Sequence, residues 1–194
     1  MKISRILLLA SSILVISCHK NVNNTIDLEK KVFDDVFQST VDSTLIDLRT
    51  YTGFQYSKKQ RDSIKKDTLH RVVAFTINNY IASDDFLSDS STKYKLTNDS
   101  VWNFKLEKYN SSKYNLKNSD ELPFTDTLTE WKNKYPKFSG GLSFSKIYFD
   151  DAKETGIFEV TYYCGPTCGL GYSVYVKKIN NKWTILKVER IWIS

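Results

Sequence analysis

Four strand-like runs follow one another through the last third of the chain, at about residues 141–149, 156–163, 171–179 and 183–193. In the second run Phe158, Val160 and Tyr162 alternate with other residues, and in the third Tyr172, Val174 and Val176 do the same. Successive side chains of a strand point to opposite faces, so each run offers one apolar face. Asn180-Asn181 separates the third and fourth runs. Asparagine tolerates the left-handed backbone that a two-residue hairpin requires. Short links between such runs predict an antiparallel meander. That meander constrains everything upstream, because its apolar face needs a second layer to cover it.

The cover is legible nearer the N-terminus. Over residues 25–41, Leu28, Val32, Phe33, Val36, Phe37 and Val41 recur at spacings of three to five and form one helical stripe. Thr25 is placed to cap this helix, with Asp27 and Glu29 at its electronegative-tolerant end. Residues 57–67 are highly charged and helical in pattern, with Ile64 the one aliphatic residue. Thr127-x-x-Glu130 has capping-box spacing for a short helix that must stop by Tyr135, because Pro136 follows. Residues 45–48 are a short apolar patch. Residues 69–77 predict a strand with Leu69, Val73, Phe75 and Ile77 on one face and Arg71 breaking the series. The Ser- and Asp-rich stretch 84–99 and the polar stretch 110–120 predict loops, and residues 101–109 fit a helix or a strand. The expectation is one α+β domain over residues 25–194: an N-terminal helix and short helices packed on a curved antiparallel sheet that ends in the four-stranded meander. With 27 aromatic residues among 194, the chain has the material for such a core.

The first residues have a different character. Lys2 and Arg5 precede an apolar stretch at 6–16, too short for a confident spanning helix, which ends Val15-Ile16-Ser17-Cys18. This ending resembles the lipobox of bacterial lipoproteins. The resemblance implies a signal peptide over residues 1–17, cleavage before Cys18 and diacylation of the Cys18 sulfur. Two acyl chains hold a protein on a bilayer where one does so marginally, so Cys18 makes the lipid bilayer an expected partner. Residues 18–24 read as a polar tether. His19 stands where an Asp would signal inner-membrane retention, and residues 19–24 lack an acidic cluster. By the same resemblance these point to the outer membrane, facing the periplasm.

The full chain carries a formal charge of +6, and +4 once Lys2 and Arg5 are removed. Lysines (23) far outnumber arginines (5), and arginine is the better reader of phosphates and bases. The pairs Lys58-Lys59, Lys65-Lys66 and Lys177-Lys178 read as solvated faces, and no nucleic-acid partner is expected.

With Cys18 acylated, Cys164 and Cys168 remain, and an even number of cysteines in an oxidising compartment reads first as a structural disulfide. The segment Cys164-Gly165-Pro166-Thr167-Cys168 resembles the thioredoxin C-G-P-C motif with a threonine inserted, which leaves a redox dithiol as one alternative and a metal pair as another. Redox cysteines of that family open a helix, whereas this segment joins two strand-like runs. Zinc needs more ligands than the two histidines, His19 and His70, are placed to supply. No cofactor and no metal are expected. Catalytic signatures for a serine elbow, a zinc protease or a phosphate loop are absent from the sequence, and the acid pairs Asp34-Asp35, Asp84-Asp85 and Asp150-Asp151 read as solvated. Tyr162, Tyr163, Tyr172 and Tyr175 flank the cysteine segment, with Trp183 and Trp192 on the last run. They read as core packing or as an exposed platform for a glycan, peptide or lipid.

Tyr135-Pro-Lys-Phe-Ser-Gly140, residues 143–149, the Cys-Gly-Pro-Thr-Cys-Gly segment, Trp183 and the final Trp-Ile-Ser together resemble the C-terminal part of uncharacterised exported bacterial proteins. This covers residues 135–194 and implies no activity. The order of elements is also similar to the cystatin-like cone fold, which implies architecture alone. The functional expectation is a membrane-anchored lipoprotein of the cell envelope that works by non-catalytic binding of an envelope protein or glycan. The alternatives are a small cone-fold enzyme, a thiol-disulfide protein using Cys164 and Cys168, and an inhibitor-type partner of another exported protein.

Overall fold

The computed structural model describes residues 20–51, 57–77, 94–96, 104–123 and 128–194, with side chains from residue 26 onward and that of Tyr51 excepted. The lipobox and Cys18, His19, Thr127, and residues 84–93, 97–99 and 101–103 lie outside them. In chain order the helices are α1 (Lys20–Thr44), α2 (Leu48–Tyr51), α3 (Lys58–Lys66) and α4 (Thr129–Lys134). The strands are β1 (Arg71–Ile77), β2 (Lys95–Leu96), β3 (Tyr114–Asn118), β4 (Phe138–Phe144), β5 (Tyr148–Phe149), β6 (Thr155–Gly165), β7 (Cys168–Ile179) and β8 (Lys182–Ile193). The chain is an α+β domain, as the order of sequence patterns predicts.

The meander forms as expected. β4 and β5 lie along one side of β6, and β6, β7 and β8 pair antiparallel in succession. Asn180 and Asn181 make the β7–β8 turn with φ of 49° and 62°, the left-handed pair of a tight hairpin. The apolar stripe of α1 covers one sheet face: Val32, Phe33, Val36, Phe37 and Val41 form one buried cluster with Phe144, Phe158, Val160, Val174, Val176 and Trp183. Burying each such side chain contributes about 1.5–3 kcal/mol, which makes this the principal core.

The sheet differs from the expected all-antiparallel one. It is mixed, because β1 runs parallel to both β3 and β4. Parallel neighbours need a crossover of a dozen residues or more, and the long intervals 78–113 and 78–137 supply it. β1 is buried on both faces. Val73 and Phe75 join the α1 cluster, while Val72 and Ala74 join Leu48, Leu128, Trp131 and Phe138 beneath α2 and α4 on the opposite face. Leu69 is not on the strand; it is 51% exposed, and β1 begins at Arg71.

Four further boundaries differ from the sequence reading. The backbone of 20–24, read as tether, is helical, because α1 begins at Lys20. Residues 114–118, within the expected loop, form β3, whose Tyr114 and Leu116 point inward. Lys95–Leu96, inside another expected loop, pair with β5. Residues 106–109 form a 3-10 turn. α4 ends before Pro136 as predicted, but Leu128, at φ 52°, precedes its first turn and makes no side-chain cap bond.

Candidate functional site

β6 and β7 are the longest paired strands after β7–β8, and their turn carries the cysteines. Register is kept from Thr155↔Lys177 to Tyr163↔Gly169, then slips by one residue before Gly165↔Cys168. Gly165 takes φ 153°, a conformation side chains resist, so glycine lets the turn close here. Cys164 and Cys168 are joined by a disulfide with Cα atoms 5.1 Å apart, within the usual span. The bond closes the tip of the hairpin. Cys164 packs against the buried clusters on both sides of the sheet. Pro166 and Thr167 are left exposed at the tip.

Next to this hairpin lies a cavity of about 380 Å³. Ala74 of β1, Gly141 of β4 and Leu128 ahead of α4 give it a small, apolar floor. Tyr163, Gly165 and Pro166 form the wall on the hairpin side, and Thr76 and Ser119 add hydroxyl groups. Tyr163 is 36% exposed, among the most exposed large apolar side chains described. Gly141 pairs directly with Tyr163, so the absence of a side chain at 141 leaves room beside the tyrosine ring.

The four tyrosines do not share one platform. Tyr162 is 1% exposed and belongs to the core under α1, and Tyr172 packs against the same core. Burial pushes the Tyr172 hydroxyl pKa upward, against the opposing charge of Arg190. Tyr163 and Tyr175 lie on the other face. Tyr175 packs against Tyr148 and Ile157, with the Lys187 ammonium 5.5 Å from its ring centre. Only Tyr163 reaches the cavity. The signal for this division was in the numbering. Residues an odd number apart on one strand point to opposite faces, which separates 162 from 163 and 172 from 175.

On the same face as Tyr163, the Trp192 indole lies over Gly171. A Cβ at 171 would come within 2.0 Å of Nε1. Trp192 Nε1 donates to Glu159 Oε1 at 3.1 Å, and Glu159 is 7% exposed. The Glu159 backbone N–H donates to Ser145 Oγ at 2.8 Å, and Ser145 Oγ donates to the Lys146 carbonyl at 2.8 Å. These bonds hold the interruption between β4 and β5. Ile147 N–H donates there to Glu29 Oε1 of α1 at 3.4 Å, and Glu29 is 1% exposed. They tie the β4–β5 interruption to β6 and to α1, and β6 to β8.

A second cavity, of about 480 Å³, opens at the carboxyl ends of β1 and β3. Phe75, Phe104 and Leu116 floor it, and Glu107, Lys117, Asp120 and Glu121 ring it. Glu121 accepts from the Lys134 ammonium and the Tyr135 hydroxyl, which hold its carboxyl below the usual range. Glu121 is thus engaged in fixing α4 to the 3-10 turn at 119–121.

Among the described residues, no three or more His, Cys, Asp and Glu side chains converge as metal ligands. His70 is exposed at φ 55°, its backbone N–H donating to Ser112. Asp34 and Asp35 bind neighbouring elements, and Asp150 closes its own turn through Glu154 and Thr155. No described helix is long and apolar enough to cross a membrane. Family models, curated proteins and solved structures yield no match to this chain.

Proposed function

We propose that this chain is a lipid-anchored protein of the cell envelope that acts by binding rather than by catalysis. Acylated Cys18 holds it to the outer membrane on the periplasmic side. The cavity beside the disulfide hairpin receives an apolar group presented by an envelope protein or a glycan. One observation carries this reading. A 36%-exposed tyrosine stands at the mouth of an apolar cavity, on a hairpin tip closed by a disulfide. Aromatic side chains with a polar tip supply contact area at low entropic cost, and a rigid support keeps that cost low.

The test uses an apolar fluorescent probe, anilinonaphthalene sulfonate. The native chain is expected to enhance its emission saturably, and Tyr163→Ala to remove most of the gain. Tyr175→Ala, farther along the same sheet face, should leave it intact. Equal loss in both variants, or none in either, would count against this cavity as the binding site.

A further inference from the structure

We propose that helix α3 is a docking surface for an anionic lipid bilayer, independent of acylation at Cys18. Five of its nine residues are cations: Lys58, Lys59, Arg61, Lys65 and Lys66, against one acid, Asp62. At 3.6 residues per turn these five fall within an arc of about 160° that also contains Asp62, and Ile64 points away from that arc. The helix buries none of its side chains, so core packing does not account for its presence. It is nonetheless built with care. Ser57 Oγ accepts from the Gln60 backbone N–H, and Gln60 Oε1 accepts from the Ser57 backbone N–H at 2.8 Å, a complete capping box. At the other end Arg49 donates to the Asp67 carboxylate at 2.9 Å and to its carbonyl at 2.8 Å. Lys137 donates to the same carboxylate at 2.7 Å. The clamp neutralises Asp67 and fixes the helix to the body, leaving its cationic side outward.

Lys58, Lys59, Lys65 and Lys66 make no ion pair among the described residues. A helix with five cations against one acid, and no fully buried side chain, is complementary to a negative surface. Four of its five cations are lysines, flexible point charges suited to a diffuse field, whereas paired recognition of individual phosphates favours arginine. Such a segment near an anionic leaflet is attracted additively by each lysine, within a screening length.

The experiment is flotation of the full-length chain carrying Cys18→Ser, which removes the acyl contribution. Vesicles are either phosphatidylcholine alone or phosphatidylcholine mixed with phosphatidylglycerol, which supplies the negative surface that attracts polybasic segments. The parent is expected to favour the anionic vesicles and to lose that preference in 0.5 M salt, where the screening length is roughly halved. Replacing Lys58, Lys59, Lys65 and Lys66 with Gln should weaken anionic binding at least tenfold. A control with the same loss of charge elsewhere, Gln at Lys105, Lys132, Lys177 and Lys182, should weaken it less than threefold. Circular dichroism establishes that both variants fold. Equal weakening in the two variants would show that net charge alone acts, and would overturn the proposal. So would an absence of preference for anionic vesicles. Binding of soluble polyglutamate through the α3 lysines without vesicle binding would assign the surface to an acidic polymer and overturn it equally.

Discussion

Three aspartates on α1 each reach a different part of the molecule. Asp34 accepts from Tyr109 at 2.8 Å and from Lys108. Asp35 accepts from Lys31 and, at 2.9 Å, from the Trp183 backbone N–H on β8. Asp42 accepts from Tyr114 at 2.8 Å and from Lys113 at 2.9 Å. Partial burial pushes each carboxyl up, but the hydrogen bonds and nearby ammonium groups outweigh it, so all three lie below the ordinary 3.8. A carboxylate held low in the folded state stabilises it fully above the unfolded value, near 3.9, and that contribution fades as pH falls through the folded values. The melting temperature should therefore hold steady between pH 7 and 5 and drop below about pH 4. Asparagine at all three positions should make the acid limb shallower. An equally steep limb in the triple variant, followed by thermal melts across the pH series, would place the acid sensitivity elsewhere. The reading of Asp34 and Asp35 as a solvated pair missed this role. Their partners lie as far as 148 positions away, and nothing in a single helix reveals which strand it will meet.

The elements divide by how local their determinants are. α1 was legible from its stripe, and α3 from its run of charge. The β7–β8 hairpin was legible from Asn180-Asn181, because backbone conformation there is a property of the two residues themselves. β3 was not. It is a five-residue strand with two inward side chains, and its partner β1 lies across a long crossover. β1 did carry a signal: four consecutive buried residues, Val72 to Phe75, are the mark of a strand covered on both faces. The cavity could not be read, since its floor gathers Ala74, Leu128 and Gly141 from three separate elements. The cysteine pair was readable from spacing, and its worth follows from loop length. Closing so short a ring restricts the unfolded chain by about 2 kcal/mol. Serine at both Cys164 and Cys168 should lower unfolding free energy by up to about that amount in urea titration, with the fold retained. The intact bond should resist glutathione, as structural bonds do. Rapid exchange with glutathione together with insulin reductase activity would instead make it a redox centre.

At the scale of the molecule, the outer strands β3 and β8 are managed differently. β3 is shielded by its own preceding turn: the Leu116 backbone N–H donates to Asn110 Oδ1 at 2.7 Å. β8 pairs with β7 alone, with register shifts at two places, and such bulges bend a strand away from pairing with another chain. The reading of Cys18 as the anchor belongs to this scale, since it decides where the whole domain resides. Cys18→Ser should leave an unprocessed precursor or move the protein to the soluble fraction on cell fractionation. A variant processed normally and still tightly membrane-bound would contradict acylation at that residue.

The union of α1 with β8 has one more consequence. Trp183, 1% exposed, sits in the last strand, and its backbone N–H is held by Asp35 in the first helix. A ribosome makes the helix long before the strand that completes its burial. Until about residue 183 has been added, Val32, Phe33, Val36 and Phe37 have no finished surface to rest on. A chain stopped short of β8 therefore lacks both Trp183 and the Asp35 bond, and the seat of its first helix stays unfinished.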